Sequence, residues 1–124
     1  TPLMWAALNG QNHTVKTLIS NGAQVNLQSD NGAFALMFSA LAGHTNTVES
    51  LLTNEATVNK KDYSGRTALM GAAMRGHIET VQSLLKFAAD INIKSNNGKT
   101  ALKWASEMGQ IEVVKLLQKN GTKE

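Results

Sequence analysis

The stretch TALMGAAMRGHIETVQSLLKFAADINIKSNNGK, residues 67–99, decides the fold because the chain repeats its pattern. Four segments, which begin at Thr1, Phe34, Thr67 and Thr100, align without a gap at a spacing of 33 residues. Columns of leucine, glycine, valine and leucine recur in them: Leu3, Leu36, Leu69, Leu102; Gly10, Gly43, Gly76, Gly109; Val15, Val48, Val81, Val114; and Leu18, Leu51, Leu84, Leu117. Self-similarity at a fixed period of this length indicates stacked structural repeats.

Each segment contains the same elements in the same order. A short helix A is predicted to begin at Pro2, Ala35, Ala68 and Ala101, and a glycine ends it. Helix B follows with apolar residues at i, i+3 and i+4, as in Val81, Leu84 and Leu85. An extended segment then leads to a polar turn that ends in glycine, which accepts positive φ: Asp30-Asn31-Gly32, Tyr63-Ser64-Gly65 and Asn96-Asn97-Gly98. Because two short helices cannot bury their apolar faces alone, the units must stack around one core.

These motifs resemble the ankyrin repeat. TPLMWAA, residues 1–7, is similar to the family signature T-P-L-H-x-A-A, and residues 67–73 and 100–106 are looser copies. The resemblance covers essentially the whole chain. It implies an all-α fold, namely an ankyrin-repeat solenoid of about four helix-turn-helix units joined by β-hairpin-like turns. It further implies a single domain, residues 1–124, with units at approximately 1–31, 32–64, 65–97 and 98–124.

The chain departs from the family pattern at several positions. Glu55 and Ala88 replace the glycine that follows helix B, so we expect the middle units to be strained or remodelled there, at about 1 kcal/mol each if the backbone stays left-handed. Methionine or lysine replaces the signature histidine at Met4, Met37, Met70 and Lys103. Gln118 replaces a buried aliphatic residue of the last helix B, and Lys119, Lys123 and Glu124 follow. These residues predict a polar cap on the terminal unit.

Composition restricts the function classes that the chain can belong to. Its 124 residues are 42% hydrophobic and 17% charged, which predicts one folded domain. The net charge of +3 comes from scattered lysines and arginines, so we expect no nucleic acid partner. No apolar run reaches the roughly 20 residues that span a bilayer, so we expect no membrane association. The absence of cysteine excludes disulfides and thiolate chemistry and is compatible with the reducing, intracellular and cytoplasmic location that we expect.

The chain also lacks a pattern typical of catalysis. His44 and His77 lie one repeat apart, too far for one zinc ion, and are expected to bond neighbouring backbone, whereas His13 should be exposed. The carboxylates are dispersed, and no nucleophile stands beside a base. The glycines recur once per repeat rather than within one phosphate-binding loop. We therefore predict that the protein is not an enzyme and has no catalytic residue, cofactor or metal.

The resemblance implies a partner protein on a concave groove, which the turn tips and the exposed side of helix A form together. The turn tips contribute Asp30, Asn31, Ala33, Tyr63, Ser64, Arg66, Asn96, Asn97 and Lys99. Helix A contributes Trp5, Leu8, Asn9, Phe38, Leu41, Met74, Arg75, Trp104 and Met108. Tryptophan, tyrosine and arginine are enriched at binding hot spots. The alternative for Trp5, Phe38 and Trp104 is that they pack against the next turn and are half-buried.

The resulting hypothesis is a non-catalytic, monomeric module for protein–protein interaction. The alternatives are a regulatory or structural ankyrin appendage of a larger enzyme or channel, and an engineered ankyrin scaffold. The sequence starts at Thr1 within a repeat, which leads us to expect further chain upstream.

Overall fold

The computed structural model describes residues 1–121, which form eight α-helices and no strand. The helices are α1 (Pro2–Leu8), α2 (Asn12–Ser20), α3 (Ala35–Ala42), α4 (Thr45–Thr53), α5 (Ala68–Met74), α6 (Ile78–Lys86), α7 (Ala101–Glu107) and α8 (Ile111–Lys119). They follow one another as four pairs, and each odd-numbered helix begins at the residue predicted for helix A. The all-α repeat fold expected from the sequence is therefore confirmed.

The helices are arranged in two layers. In one layer α1, α3, α5 and α7 pack side by side, and in the other α2, α4, α6 and α8 do the same. Within each pair the odd-numbered and even-numbered helices also pack against each other. Contacts between each pair and the next join the pairs into a solenoid, whose stability comes from interfaces between neighbours.

The core follows the sequence columns. Small residues at the centre of the odd-numbered helices have no exposed surface, and they allow the two layers to approach closely: Ala6, Ser39, Ala72 and Ala105. The Ser39 hydroxyl donates a hydrogen bond to the Leu36 carbonyl at 3.0 Å, as expected for serine inside a helix. Leu51, Leu84 and Leu117 form the predicted buried row. Leu18, at the end of that row, is only half-buried because no other helix pair covers its outer side within residues 1–121.

Three of the four helix A starts are capped by threonine. The hydroxyls of Thr1, Thr67 and Thr100 accept hydrogen bonds from the amides three residues later. Phe34 occupies this position in the second unit and gives no side-chain cap. Phe34 is 1% exposed. The second unit is therefore stabilised at this position by burial of an apolar side chain, whereas the other units are stabilised by a capping hydrogen bond.

The ends of helices α4 and α6 keep the left-handed backbone that glycine usually adopts. Glu55 has φ of 74° and Ala88 has φ of 68°, whereas Gly22 after α2 has φ of 93°. The next residue closes the same bond in each unit: Ala23 to Leu18, Ala56 to Leu51 and Ala89 to Leu84, all at 3.0 Å from amide to carbonyl. The backbone path after α4 and α6 is therefore kept, and Glu55 and Ala88 are strained in it. Of the two outcomes expected from the sequence, strain is found and remodelling is not.

The two ends of the stack present different side chains. At the α7–α8 end, Lys103, Ser106 and Gln118 are exposed, whereas Met37, Ala40 and Leu52 are buried in the corresponding columns of the second unit. This agrees with the predicted polar cap, to which Lys119 also belongs; Lys123 and Glu124 lie outside the described residues. At the α1–α2 end, Pro2, Thr14 and Thr17 are exposed, and they are similar in type to the buried Ala35, Thr47 and Ser50.

Candidate functional site

Three tight turns connect the four helix pairs. In each, the first residue donates its amide to the carbonyl four residues later: Ser29 to Ala33 at 2.7 Å, Asp62 to Arg66 at 2.9 Å and Ser95 to Lys99 at 2.9 Å. We name these turns hairpin 1 (residues 29–33), hairpin 2 (residues 62–66) and hairpin 3 (residues 95–99). No strand is formed among residues 1–121, but these bonds give the hairpin-like geometry that the sequence predicts.

Hydrogen bonds between the hairpins hold them in a row. The Asn96 amide donates to the Ser64 carbonyl at 2.9 Å, and the Asn96 side-chain amide donates to the Tyr63 carbonyl at 3.0 Å. One hairpin earlier, the side-chain amide of Gln28 donates to the Lys61 carbonyl at 2.9 Å. The tips of neighbouring hairpins are thus fixed relative to one another.

A recurring asparagine supports the same row from the base of the turns. Asn26 Oδ1 accepts from the amide of Thr57 at 2.8 Å, and Asn59 Oδ1 accepts from the amide of Asp90 at 2.8 Å. In both cases the donor belongs to the next unit along the chain. The asparagine column therefore links successive units, a role that its recurrence in the sequence did not reveal.

The hairpin tips and one side of the odd-numbered helices form what we call the tip surface. The exposed members of the predicted site are Trp5, Leu8, Asn9, Asp30, Asn31, Tyr63, Ser64, Arg75, Asn96, Asn97 and Met108. The half-buried members are Ala33, Phe38, Leu41, Arg66, Met74, Lys99 and Trp104. None of the predicted residues is fully buried, so all of them present some surface.

The aromatic column of the odd-numbered helices is unevenly buried. Phe38 and Trp104 are half-buried, as the packing alternative predicts, but Trp5 is 58% exposed. Trp104 lies beside hairpins 2 and 3, which precede its helix in the chain. Trp5 has no hairpin before it among residues 1–121. This difference explains why Trp5 is more exposed than Trp104, although both occupy the same column.

Hairpins 2 and 3 and helix α7 enclose a recess of about 360 Å³, which we name the Tyr63–Trp104 recess. It is lined by Tyr63, Ser64, Arg66, Ser95, Asn96, Asn97 and Trp104. Six of these seven residues were predicted from the sequence as partner contacts. The structure therefore brings the tips of two neighbouring hairpins together with the tryptophan of helix α7.

Two ion pairs border this recess. Arg66 Nε donates to Asp62 Oδ2 at 3.1 Å, and Asp62 Oδ1 accepts from the amides of Ser64 and Arg66 at 2.9 and 2.8 Å. Lys99 Nζ lies 2.5 Å from Glu107 Oε1 and 4.6 Å from the centre of the Trp104 ring. The first pair braces the turn from inside, and the second places a cation over the indole face.

A family model for ankyrin repeats, which contains three copies, matches residues 3–95 and again residues 56–124. The chain belongs to the ankyrin repeat family. Ankyrin repeats are generally protein–protein interaction modules and are typically non-catalytic. No curated protein matches the sequence significantly.

Two histidines that share a repeat column of this ankyrin domain join neighbouring repeats. Nε2 of His44 donates to the Leu8 carbonyl at 3.1 Å, and Nε2 of His77 donates to the Leu41 carbonyl at 2.9 Å. In the last repeat Gln110 Nε2 donates to Met74 in the same way, at 3.1 Å. The backbone-bonding role that the sequence predicts for His44 and His77 is confirmed, and His13 is exposed as expected.

The sequence did not single out Ser95, and it placed Glu107 on the exposed side of helix A without indicating its ion pair. Ser95 lies inside the recess, and Glu107 fixes the position of Lys99. Ser95 shares a column with Ser29 and Asp62. The recurrence of a small polar or acidic residue at the first hairpin position was the sequence signal that could have identified it. The Lys99–Glu107 pair joins residues eight apart across a hairpin and a helix, and only the three-dimensional arrangement shows it.

Residues 1–121 contain no helix that is both long enough and apolar enough to cross a membrane.

Proposed function

We propose that this ankyrin domain binds another protein in a groove formed by its tip surface. The observation that carries the proposal is the exposure of large apolar side chains there: Trp5 is 58% exposed, Leu8 44%, Tyr63 65% and Met108 56%. Tryptophan and tyrosine, two of these exposed residue types, are enriched at binding hot spots. Leu27, Ile78 and Ile111 are also exposed, but they lie outside the tip surface.

The arrangement of the surface suits binding with little backbone change. Hydrogen bonds between units already fix the hairpin tips, as in the contacts of Asn96 with Ser64 and Tyr63. A preorganised surface loses less conformational entropy when a partner binds. The exposed rings of Trp5 and Tyr63 supply aromatic anchors, and Arg66 and Arg75 supply cations that bond a partner's acceptors.

The proposal also covers what the domain does not do. The protein acts by equilibrium binding, without catalysis or a cofactor, as a monomer inside the cell, and it does not bind nucleic acid. Its repeat units have the approximate boundaries 1–31, 32–64, 65–97 and 98–124, so that each unit contributes one helix pair to the surface.

The test is affinity capture with two pairs of substitutions. Tyr63→Ala combined with Arg75→Ala alters the tip surface, and Gln82→Ala combined with Lys86→Ala alters exposed positions of α6 with the same change of charge. We expect the first pair to remove specific partners and the second pair to retain them, with both variants unfolding at nearly the same temperature as the parent. Equal capture by both variants would place binding elsewhere on the molecule.

A further inference from the structure

The Tyr63–Trp104 recess is lined by Arg66 and Trp104, whose side-chain nitrogens only donate hydrogen bonds and are not all paired within residues 1–121. Arg66 uses Nε for Asp62, but its two terminal nitrogens have no partner within residues 1–121, and its side chain is 41% exposed. Nε1 of Trp104 is buried and also has no partner among these residues. Guanidinium and indole nitrogens only donate. Solvent can reach the guanidinium of Arg66, whereas the buried Nε1 of Trp104 lacks an acceptor among the described residues.

Two acceptor groups near these donors are already engaged. The Asp62 carboxylate accepts the amides of Ser64 and Arg66 and the Arg66 Nε, and Asn97 Oδ1 accepts from the Ser95 hydroxyl. The terminal nitrogens of Arg66, and the indole N–H of Trp104 after a side-chain movement, can therefore pair with an acceptor from outside the described chain.

The two turn segments that contribute to the recess carry an excess of positive charge. Hairpins 2 and 3 with their adjoining arms, residues 59–67 and 92–100, carry five cations and a single carboxylate: Lys60, Lys61, Arg66, Lys94 and Lys99 against Asp62. Glu107 neutralises Lys99 from the neighbouring helix, which still leaves an excess of positive charge. Such a local excess attracts and orients negatively charged groups.

The walls of the recess strengthen this preference. Tyr63 and Trp104 both line the recess, and Tyr63 is 65% exposed. Aromatic walls exclude water from one side of a bound group, and electrostatic attraction is stronger where less water is present. A planar anion with two acceptor atoms matches the flat, forked donor geometry of an arginine.

We infer that the recess binds a carboxylate, the side chain of a glutamate or aspartate on the partner protein. Its oxygens accept hydrogen bonds from the terminal nitrogens of Arg66 and from the indole N–H of Trp104. The inference rests on the proposed function, because it names the partner chemistry for the same surface. Since Trp104 Nε1 is covered in the empty recess, binding includes a side-chain rearrangement of the kind common at interfaces.

The two tryptophans allow a direct test by nuclear magnetic resonance. Trp5 and Trp104 occupy the same column at opposite ends of the stack, so the indole N–H of Trp5 is an internal control. We expect N-acetyl-glutamate methylamide to shift the Trp104 indole resonance in a saturable manner and to leave that of Trp5 unchanged. N-acetyl-glutamine methylamide, which has the same shape without the charge, should bind at least about tenfold more weakly.

Matched substitutions locate the anion within the tip surface. Arg66→Gln and Arg75→Gln each remove one positive charge, but only Arg66 lines the recess. The affinity for the glutamate probe should fall about tenfold in R66Q and less than about twofold in R75Q. Trp104→Phe keeps an aromatic ring but removes the indole N–H, so it should weaken binding of the glutamate probe. Because this variant has no Trp104 indole signal, its binding is measured from the Arg66 Nε resonance. Thermal unfolding checks that each variant remains folded.

Several results would overturn the inference. These are an equal response to the glutamine probe, equal shifts of both indole resonances, no loss in R66Q or W104F, or stronger binding of inorganic phosphate than of the carboxylate. The small probes require no partner protein, so the two proposals fail separately. If the probe binds but the tip-surface variants retain every partner, the proposed function is wrong; if partners are lost but the probe does not bind, only the carboxylate inference is wrong.

Discussion

At the scale of single residues, Glu55 and Ala88 show that repeat geometry can override local preference. Both keep a left-handed backbone, because the amide that follows each of them must reach the carbonyl that closes helix α4 or α6. A side chain at such a φ costs about 1 kcal/mol relative to glycine. The strain is accepted because the stacked neighbours fix the path of the chain.

Replacing Ala88 with glycine should therefore raise the free energy of unfolding by about 1 kcal/mol, since it removes this strain. The control is the reverse change, Gly22→Ala, which should lower stability by a similar amount. No atom lies within 4 Å of the methyl group that it adds, so only the backbone conformation contributes. Urea denaturation measures both values. A destabilised A88G variant would contradict the assignment of strain to this position.

A second residue-scale prediction concerns Gly43, which lies under the imidazole of His77. A methyl group there would approach His77 Nδ1 to 2.6 Å, in addition to the cost of φ at 75°. Gly43→Ala should thus destabilise the protein by about 2–3 kcal/mol, clearly more than Gly22→Ala. In the double variant with His77→Ala the steric part should disappear, so the two effects will not add. Additive losses in a denaturation cycle would rule out the proposed contact.

At the scale of elements, the sequence predicted the order of the eight helices in residues 1–121 and the start of each odd-numbered helix, because each column keeps its chemistry in all four segments. The start of α1 at Pro2 and of α5 at Ala68 are examples. The columns could not predict how the same residue differs between units. Trp5 and Trp104 have the same type and position, but their exposure depends on which hairpin precedes them. The pairing of Lys99 with Glu107 likewise arises from packing between a hairpin and a helix.

The row of helix B leucines gives an element-scale prediction. Leu84 has no exposed surface between its neighbouring units, whereas Leu18 is half-buried at the end of the row. Leu84→Ala should cost about 3 kcal/mol, within the range for fully buried leucines, and Leu18→Ala should cost about half as much. Urea denaturation of the two variants compares them directly. Equal losses would mean that the end of the row is as well packed as its middle.

At the scale of the whole molecule, four similar units are joined so that equivalent columns lie side by side. Hydrogen bonds from His77 Nε2 to the Leu41 carbonyl and from the Asp90 amide to Asn59 Oδ1 connect successive units. Residues far apart in the sequence, such as Tyr63 and Trp104, consequently border one recess. Under the proposed function, binding specificity depends on the variable residues of the surface, while the repeated columns maintain the scaffold.

The most direct test of the central claim is site-specific photo-crosslinking at single positions. A photoreactive amino acid replaces Tyr63 or Met108 on the tip surface, and Gln82 or Lys115 on the exposed side of the even-numbered helices. We predict that the same partner protein crosslinks at positions 63 and 108 and not at positions 82 and 115. Crosslinking of that partner chiefly at positions 82 and 115 would contradict recognition through the tip surface.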